Sequence, residues 1–114
     1  MIEVREYLQP RGGSPFADWF AILNPKAAAK VATALARLSA GNFSNVKGVG
    51  SGVFEYRIDF GPGYRVYFGK DGEHVVIVLG GGSKKRQQHD VDAAHASWQD
   101  YKRRKKEDKY GPDA

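Results

Sequence analysis

Two stretches of strict alternation on either side of Gly61-Pro62-Gly63 constrain this chain more than any other feature. Phe54, Tyr56, Ile58 and Phe60 alternate with Glu55, Arg57 and Asp59; after the turn, Tyr64, Val66 and Phe68 alternate with Arg65 and Tyr67. A period of two places every second side chain on the same face of a strand, so each stretch reads as a strand with one apolar face. The intervening glycine-proline-glycine makes the pair a hairpin. Burying both apolar faces together requires partners of equal parity, and a three-residue loop sets Phe60 opposite Tyr64. That register predicts Ile58 facing Val66, Tyr56 facing Phe68, Asp59 facing Arg65 and Arg57 facing Tyr67.

The flanking sequence supplies elements to cover the hairpin. Ile2 to Leu8 alternates and stops at Pro10-Arg11-Gly12-Gly13, which predicts a first strand. Ser14-Pro15 and Asn24-Pro25 each combine a capping side chain with proline at the first helical position. The first opens a short helix with Phe16, Trp19, Phe20 and Leu23; the second opens a longer one with Ala27, Val31, Ala34, Leu35 and Leu38 in one stripe, ended by Gly41. The two are expected to pack as a helical hairpin. Asn42 to Gly52 reads as a polar, glycine-rich loop. After the turn Lys70-Asp71-Gly72, the continuous apolar run within His74 to Leu79 predicts a strand covered on both faces, ending at Gly80-Gly81-Gly82. Val91, Ala94, His95, Trp98 and Tyr101 mark a last helix. The predicted architecture is α+β in the order β-α-α-β-β-β-α, with a mainly antiparallel sheet and helices packed against it. One domain spans 1–101, and residues 102–114 form a basic extension, in part disordered, that frays toward Tyr110-Gly111-Pro112.

With 114 residues, the chain has room for one core. The absence of cysteine excludes disulfides, thiolate metal sites and a cysteine nucleophile, and fits a reducing cytoplasm. No signal-peptide core or membrane-length apolar run occurs, so a cytoplasmic protein with no membrane contact is expected. His74, His89 and His95 lack zinc-ligand spacing, the triple glycine matches no nucleotide-binding fingerprint, and Ser83 lacks a nucleophile elbow, so neither metal nor cofactor is expected.

A formal net charge of +5 attracts polyanions, and its placement is more telling than its size. Arg57 and Arg65 share the open hairpin face with Tyr67, Lys47 precedes the hairpin, and Lys84, Lys85 and Arg86 follow the apolar strand. Such cations suit a single-stranded backbone, with Tyr67 as a platform for an unpaired base. Arginine grips phosphate bidentately, and cations assist cleavage of RNA by its own 2′-hydroxyl without a metal. Each residue also has an ordinary reading. Arg65 pairs with Asp59 across the hairpin, Arg57 caps the Tyr67 ring, and Gln87, Gln88, His89 and Asp90 are first-turn residues of a helix.

The run Val53-Phe54-Glu55-Tyr56-Arg57-Ile58-Asp59-Phe60-Gly61-Pro62-Gly63-Tyr64-Arg65-Val66-Tyr67-Phe68, followed by the apolar strand, Gly81-Gly82-Ser83-Lys84 and a helix containing Asp90, resembles the RelE/HigB-type toxins of bacterial toxin–antitoxin modules, in particular the phage-related addiction module killer branch. The likeness in element order runs from about Ile2 to Tyr101. It implies a metal-independent endoribonuclease that cuts mRNA on the 70S ribosome until a cognate antitoxin, a small helix-turn-helix protein, covers the site. Arg65 then falls on the arginine that contacts the scissile phosphate, Arg57 and Lys84 on further basic positions, and Lys47 on the lysine before the hairpin. Where some members carry tyrosine or histidine for proton transfer, this chain has Gln88, His89 and Asp90, and His89 has the intrinsic pKa suited to the task. The reading of the cations and the resemblance together mark Arg57, Arg65, Lys84, His89 and Asp90 as catalytic and Lys47, Tyr67, Lys85, Arg86 and Gln88 as RNA-binding. Two other functions fit the same residues: a DNA gyrase poison on the same fold, and a nucleic-acid-binding module without catalysis.

Overall fold

The computed structural model describes residues 1–109. Five strands form one mixed sheet: β1 (Glu3–Glu6), β2 (Val46–Gly48), β3 (Val53–Ile58), β4 (Tyr64–Lys70) and β5 (Val75–Ser83), in the spatial order β1-β5-β4-β3-β2. Only β1 runs parallel to its neighbour, β5; the other pairings are antiparallel. Helices α1 (Pro15–Ala21) and α2 (Pro25–Ser39) connect β1 to β2, and a short 3-10 turn, Lys84–Arg86, leads into α3 (Gln87–Lys109). The α+β class is as expected.

Both prolines sit at the starts of their helices. The Ser14 hydroxyl accepts from the Ala17 N–H at 3.0 Å and the Asn24 side chain from the Ala27 N–H at 2.9 Å, satisfying donors that a helix start leaves unpaired. The buried residues of α2, Ala27, Val31, Ala34 and Leu38, fall on its predicted stripe.

The alternating hairpin gives the sheet two distinct faces. Tyr56, Ile58, Val66, Phe68, Val76 and Val78 join Phe16, Val31, Ala34 and Leu38 in a core beneath α1 and α2. On the opposite face Val53, Tyr67, Ile77 and Leu79 pack against Val91, Ala94 and Trp98 of α3 and against Tyr7. β5 is thus covered on both sides, as its apolar run requires.

Four expectations are corrected. The hairpin register is offset by two residues: Phe54 faces Phe68, Glu55 faces Tyr67, Tyr56 faces Val66, Arg57 faces Arg65 and Ile58 faces Tyr64. The loop spans five residues rather than three, with Gly61 and Gly63 at φ 55° and 79°, a conformation that glycine adopts without steric cost. Parity is preserved because an offset of two keeps every side chain on its face. Second, the presumed loop from Asn42 to Gly52 contains β2, whose three residues are too few to show alternation. Third, β1 is limited to Glu3–Glu6 rather than Ile2 to Leu8. Fourth, β5 does not stop at the triple glycine but runs through it to Ser83. A Cβ on Gly81 would lie 2.3 Å from the Trp19 indole, and one on Gly82 1.9 Å from the Asp90 carboxylate, so the glycines let α1 and α3 approach the strand from opposite sides.

α3 continues as helix through the charge-dense stretch to Lys109; the fraying expected at Tyr110-Gly111-Pro112 falls outside the described residues. Its second half is tied down by two carboxylates. Asp100 accepts from the Tyr7 hydroxyl at 2.6 Å and pairs with Arg104, while Asp71 accepts from Tyr101 and Lys105. The Tyr7 hydrogen bond holds Asp100 below the ordinary carboxylate range, and the Lys105 hydrogen bond does the same for Asp71. Burial, reinforced by the bond to Asp71, pushes the Tyr101 hydroxyl up to about 12. A carboxylate depressed in the fold adds stability above its unfolded pKa and loses it as pH falls through the folded value. Asp100→Asn is therefore expected to melt below wild type at neutral pH. Circular-dichroism melts should show the gap closing as pH drops from about 5 to about 2; a gap independent of pH would exclude Asp100 as its source.

Candidate nucleic-acid interface

The face of the sheet that carries α3 is only partly covered by it. Beyond the helix start, an open cleft of about 470 Å³ is lined by Lys47, Arg57, Asp59, Tyr64, Arg65 and Lys84, with Ser44 and Asn45 at its edge. Four cations thus arrive from four segments: Lys47 from β2, Arg57 from β3, Arg65 from β4 and Lys84 from the turn after β5. Their meeting follows from the ladder. Arg57 and Arg65 are direct cross-strand partners, and Lys47 faces Glu55 one rung along.

The two arginines differ in environment. Arg57 is exposed, whereas Arg65 is 6% exposed. The Arg65 guanidinium places Nε 3.4 Å from Oε1 of the wholly buried Glu55 and donates from Nη1 to the Gly63 carbonyl at 3.2 Å. That carbonyl also accepts the Lys84 N–H at 2.8 Å, so the hairpin turn fixes the start of the Lys84 segment as well. Arg65 pairs with Glu55 and not with Asp59, which lies beyond the ladder and lines the cleft instead. Glu55 was not among the residues singled out from sequence. Its alternation marks it only as facing away from the apolar core, and its burial is completed by Gln87 of α3, whose side-chain amide donates to Oε2 at 3.0 Å.

Several predicted site residues lie elsewhere. Tyr67 is fully buried beneath α3, so it offers no face to a base, and Arg57 does not cap its ring, since Glu55 stands opposite. Burial, together with the Glu55 charge, raises the Tyr67 hydroxyl far above its ordinary value. Asp90 packs against Gly82, where burial raises its carboxyl despite the neighbouring Arg86 and His89. His89 and Gln88 are exposed on the first turn of α3, and Gln88 donates to Asp92 at 2.9 Å. Lys85 and Arg86 are exposed in the 3-10 turn. None of these residues lines the cleft, which is lined instead by Lys47, Arg57, Arg65 and Lys84. Chemically, the cleft is a shallow cationic trough with one carboxylate, suited to a phosphodiester backbone in an extended strand.

Comparison with known proteins places this geometry in context. The sequence pattern of the family described as "Phage derived protein Gp49-like" matches residues 18–101, which take in the end of α1, all of α2, the strands β2 to β5 and most of α3. An uncharacterized protein of Haemophilus influenzae is 44% identical over 80 residues, covering 69% of this chain and 81% of that protein.

Proposed function

Because this chain belongs to the phage-derived Gp49-like family, which is associated with toxin–antitoxin addiction modules, we propose that it is the toxin of such a module and cuts messenger RNA on the ribosome without a metal. The observation that carries this reading is the convergence of Lys47, Arg57, Arg65 and Lys84 on one open cleft. A phosphodiester seated there brings its nonbridging oxygens to the arginines. The RNA's own 2′-hydroxyl then attacks phosphorus while the bond to the 5′-oxygen breaks, leaving a 2′,3′-cyclic phosphate and a 5′-hydroxyl end. Cations act on the charge that accumulates on the phosphoryl oxygens in the transition state, where each contact is stronger than in the ground state. In this reading Asp59, the carboxylate of the lining, accepts the 2′-hydroxyl proton, and the 5′-oxygen takes its proton from water in the open cleft. His89 and Asp90 would reach the substrate only from the flank of α3.

Such a family implies a cognate antitoxin. In this reading the partner is a small helix-turn-helix protein that presents acidic residues to the trough. The test is a cleavage assay with purified protein, translating 70S ribosomes and a defined mRNA. Cuts within the message that carry 5′-hydroxyl ends, absent when ribosomes are omitted, are the expected result. Intact mRNA at excess protein would overturn the reading, and inhibition of DNA supercoiling in the same preparation would assign the chain to gyrase instead.

A further inference from the structure

Behind the cationic trough lies a polar cluster that the cleavage chemistry does not use. Glu55 is 0% exposed on the sheet face otherwise occupied by Val53, Tyr67, Ile77 and Leu79. A carboxylate in such a place is costly unless it is paired and hydrogen-bonded. Its two oxygens point to two different elements: Oε2 accepts from Gln87 Nε2 at the start of α3, and Oε1 sits 3.4 Å from Arg65 Nε on β4. The Oε1–Nε approach is an ion pair without hydrogen-bond geometry, since both atoms, with the Tyr67 hydroxyl, are buried with no hydrogen-bond partner.

We propose that Glu55 is a positioning residue: it fixes the Arg65 guanidinium from behind, through Nε, while the Gly63 carbonyl fixes it from the side through Nη1, so that Nη2 is presented to a phosphate in the cleft. The two contacts around one planar group determine both its position and its plane. Arginine's planar fork makes this possible, because some of its N–H groups can be held by the protein while another meets the ligand. Gln87 extends the chain of contacts to α3, so the seating of the helix on the sheet sets the geometry of the trough.

This inference rests on the reading of the cleft as a phosphodiester site, and its test separates the two. Glu55→Gln preserves shape and the Gln87 contact but removes the charge that holds Arg65. Ribosome-bound mRNA cleavage by this variant should show kcat lowered about 10- to 100-fold with KM within a factor of three, since misplacing a reacting group costs rate rather than affinity. A folded Glu55→Gln variant with kcat within twofold of wild type would overturn the proposal. Nitrogen-15 NMR of the wild-type protein gives a second readout that depends on neither activity nor the variant's folding. The Arg65 Nε–H should exchange with solvent at least tenfold more slowly than that of exposed Arg57, and added inorganic phosphate should shift it; equal exchange for the two overturns the proposal. If wild-type protein leaves mRNA intact while Arg65 Nε–H is protected, the cleavage reading fails and the placement of Arg65 by Glu55 stands.

Discussion

Arg65→Ala is expected to lower mRNA cleavage by about 10²- to 10³-fold, the loss typical of removing one preorganised donor from a developing oxyanion. The effect should fall mainly on kcat, because the guanidinium is held by Glu55 and Gly63 before substrate arrives and needs no reorganisation during the reaction. Arg57→Ala should have the smaller effect and appear more in KM and in salt dependence, because its exposed side chain acts as a screened surface charge. Truncating Arg65 also leaves the Glu55 carboxylate buried without its counter-charge, a loss of about 3–5 kcal/mol in comparable buried pairs. Arg65→Lys keeps the charge near Glu55 and serves as the control. Lysine has no planar fork, so it should recover most of the stability while remaining at least about 10-fold slower than wild type. Cleavage by a folded Arg65→Ala protein at the wild-type rate would remove Arg65 from the chemistry.

Gly69→Ala is expected to lose a large share of the fold's stability to a single added methyl. Gly69 lies on β4 beneath Trp98, and a Cβ there would come within 2.5–2.6 Å of three indole carbons. The indole is held from other directions as well. Its other edge rests on Gly52, where a Cβ would be 2.8 Å from Nε1, and its face stacks on Tyr101 at 5.3 Å. Overpacking at such a site costs about 2–3 kcal/mol, which for a chain of this size is a fall in Tm of about 10 °C or more. Gly48→Ala is the matched control: nothing lies within 4 Å of its Cβ position, and the variant should melt within about 2 °C of wild type. Equal melting of the two variants would mean that Trp98 is not wedged as described.

These two sites differ in how far sequence reveals them. The alternation of β3 and β4 is enough to place Arg57 and Arg65 on one face, because parity does not depend on loop length. It does not decide which residue stands opposite which, because that depends on whether Asp59 and Phe60 belong to the ladder or to the turn. The offset of two residues moved Asp59 from a partner of Arg65 into the lining of the cleft and brought the two arginines face to face. Helix starts were legible because their cause is local: a capping side chain and a proline within a few residues. The burial of Glu55 and Tyr67 was not, since it is imposed by α3, whose Gln87 lies 32 positions from Glu55. The glycines were likewise ambiguous. Read along the chain, Gly80 to Gly82 signals a break; in the fold, Gly81 and Gly82 are where Trp19 and Asp90 press on the backbone. β2 left no periodic trace in three residues.

The rung on which Arg57 meets Arg65 has one more consequence. Like charges directly opposed across a ladder repel, and the Glu55 carboxylate beside Arg65 offsets that repulsion only from behind, leaving Arg57 without a counter-charge on its rung. An anion or an acidic partner seated there removes that repulsion and, by mass action, holds the chain in its folded form. On the proposed function, the standing amount of intact protein in a cell would be tied to the supply of whatever occupies the trough: a chain left without an occupant would unfold more often and meet proteases more often. The two side chains proposed to grip a ligand would then also set how long the protein survives without one.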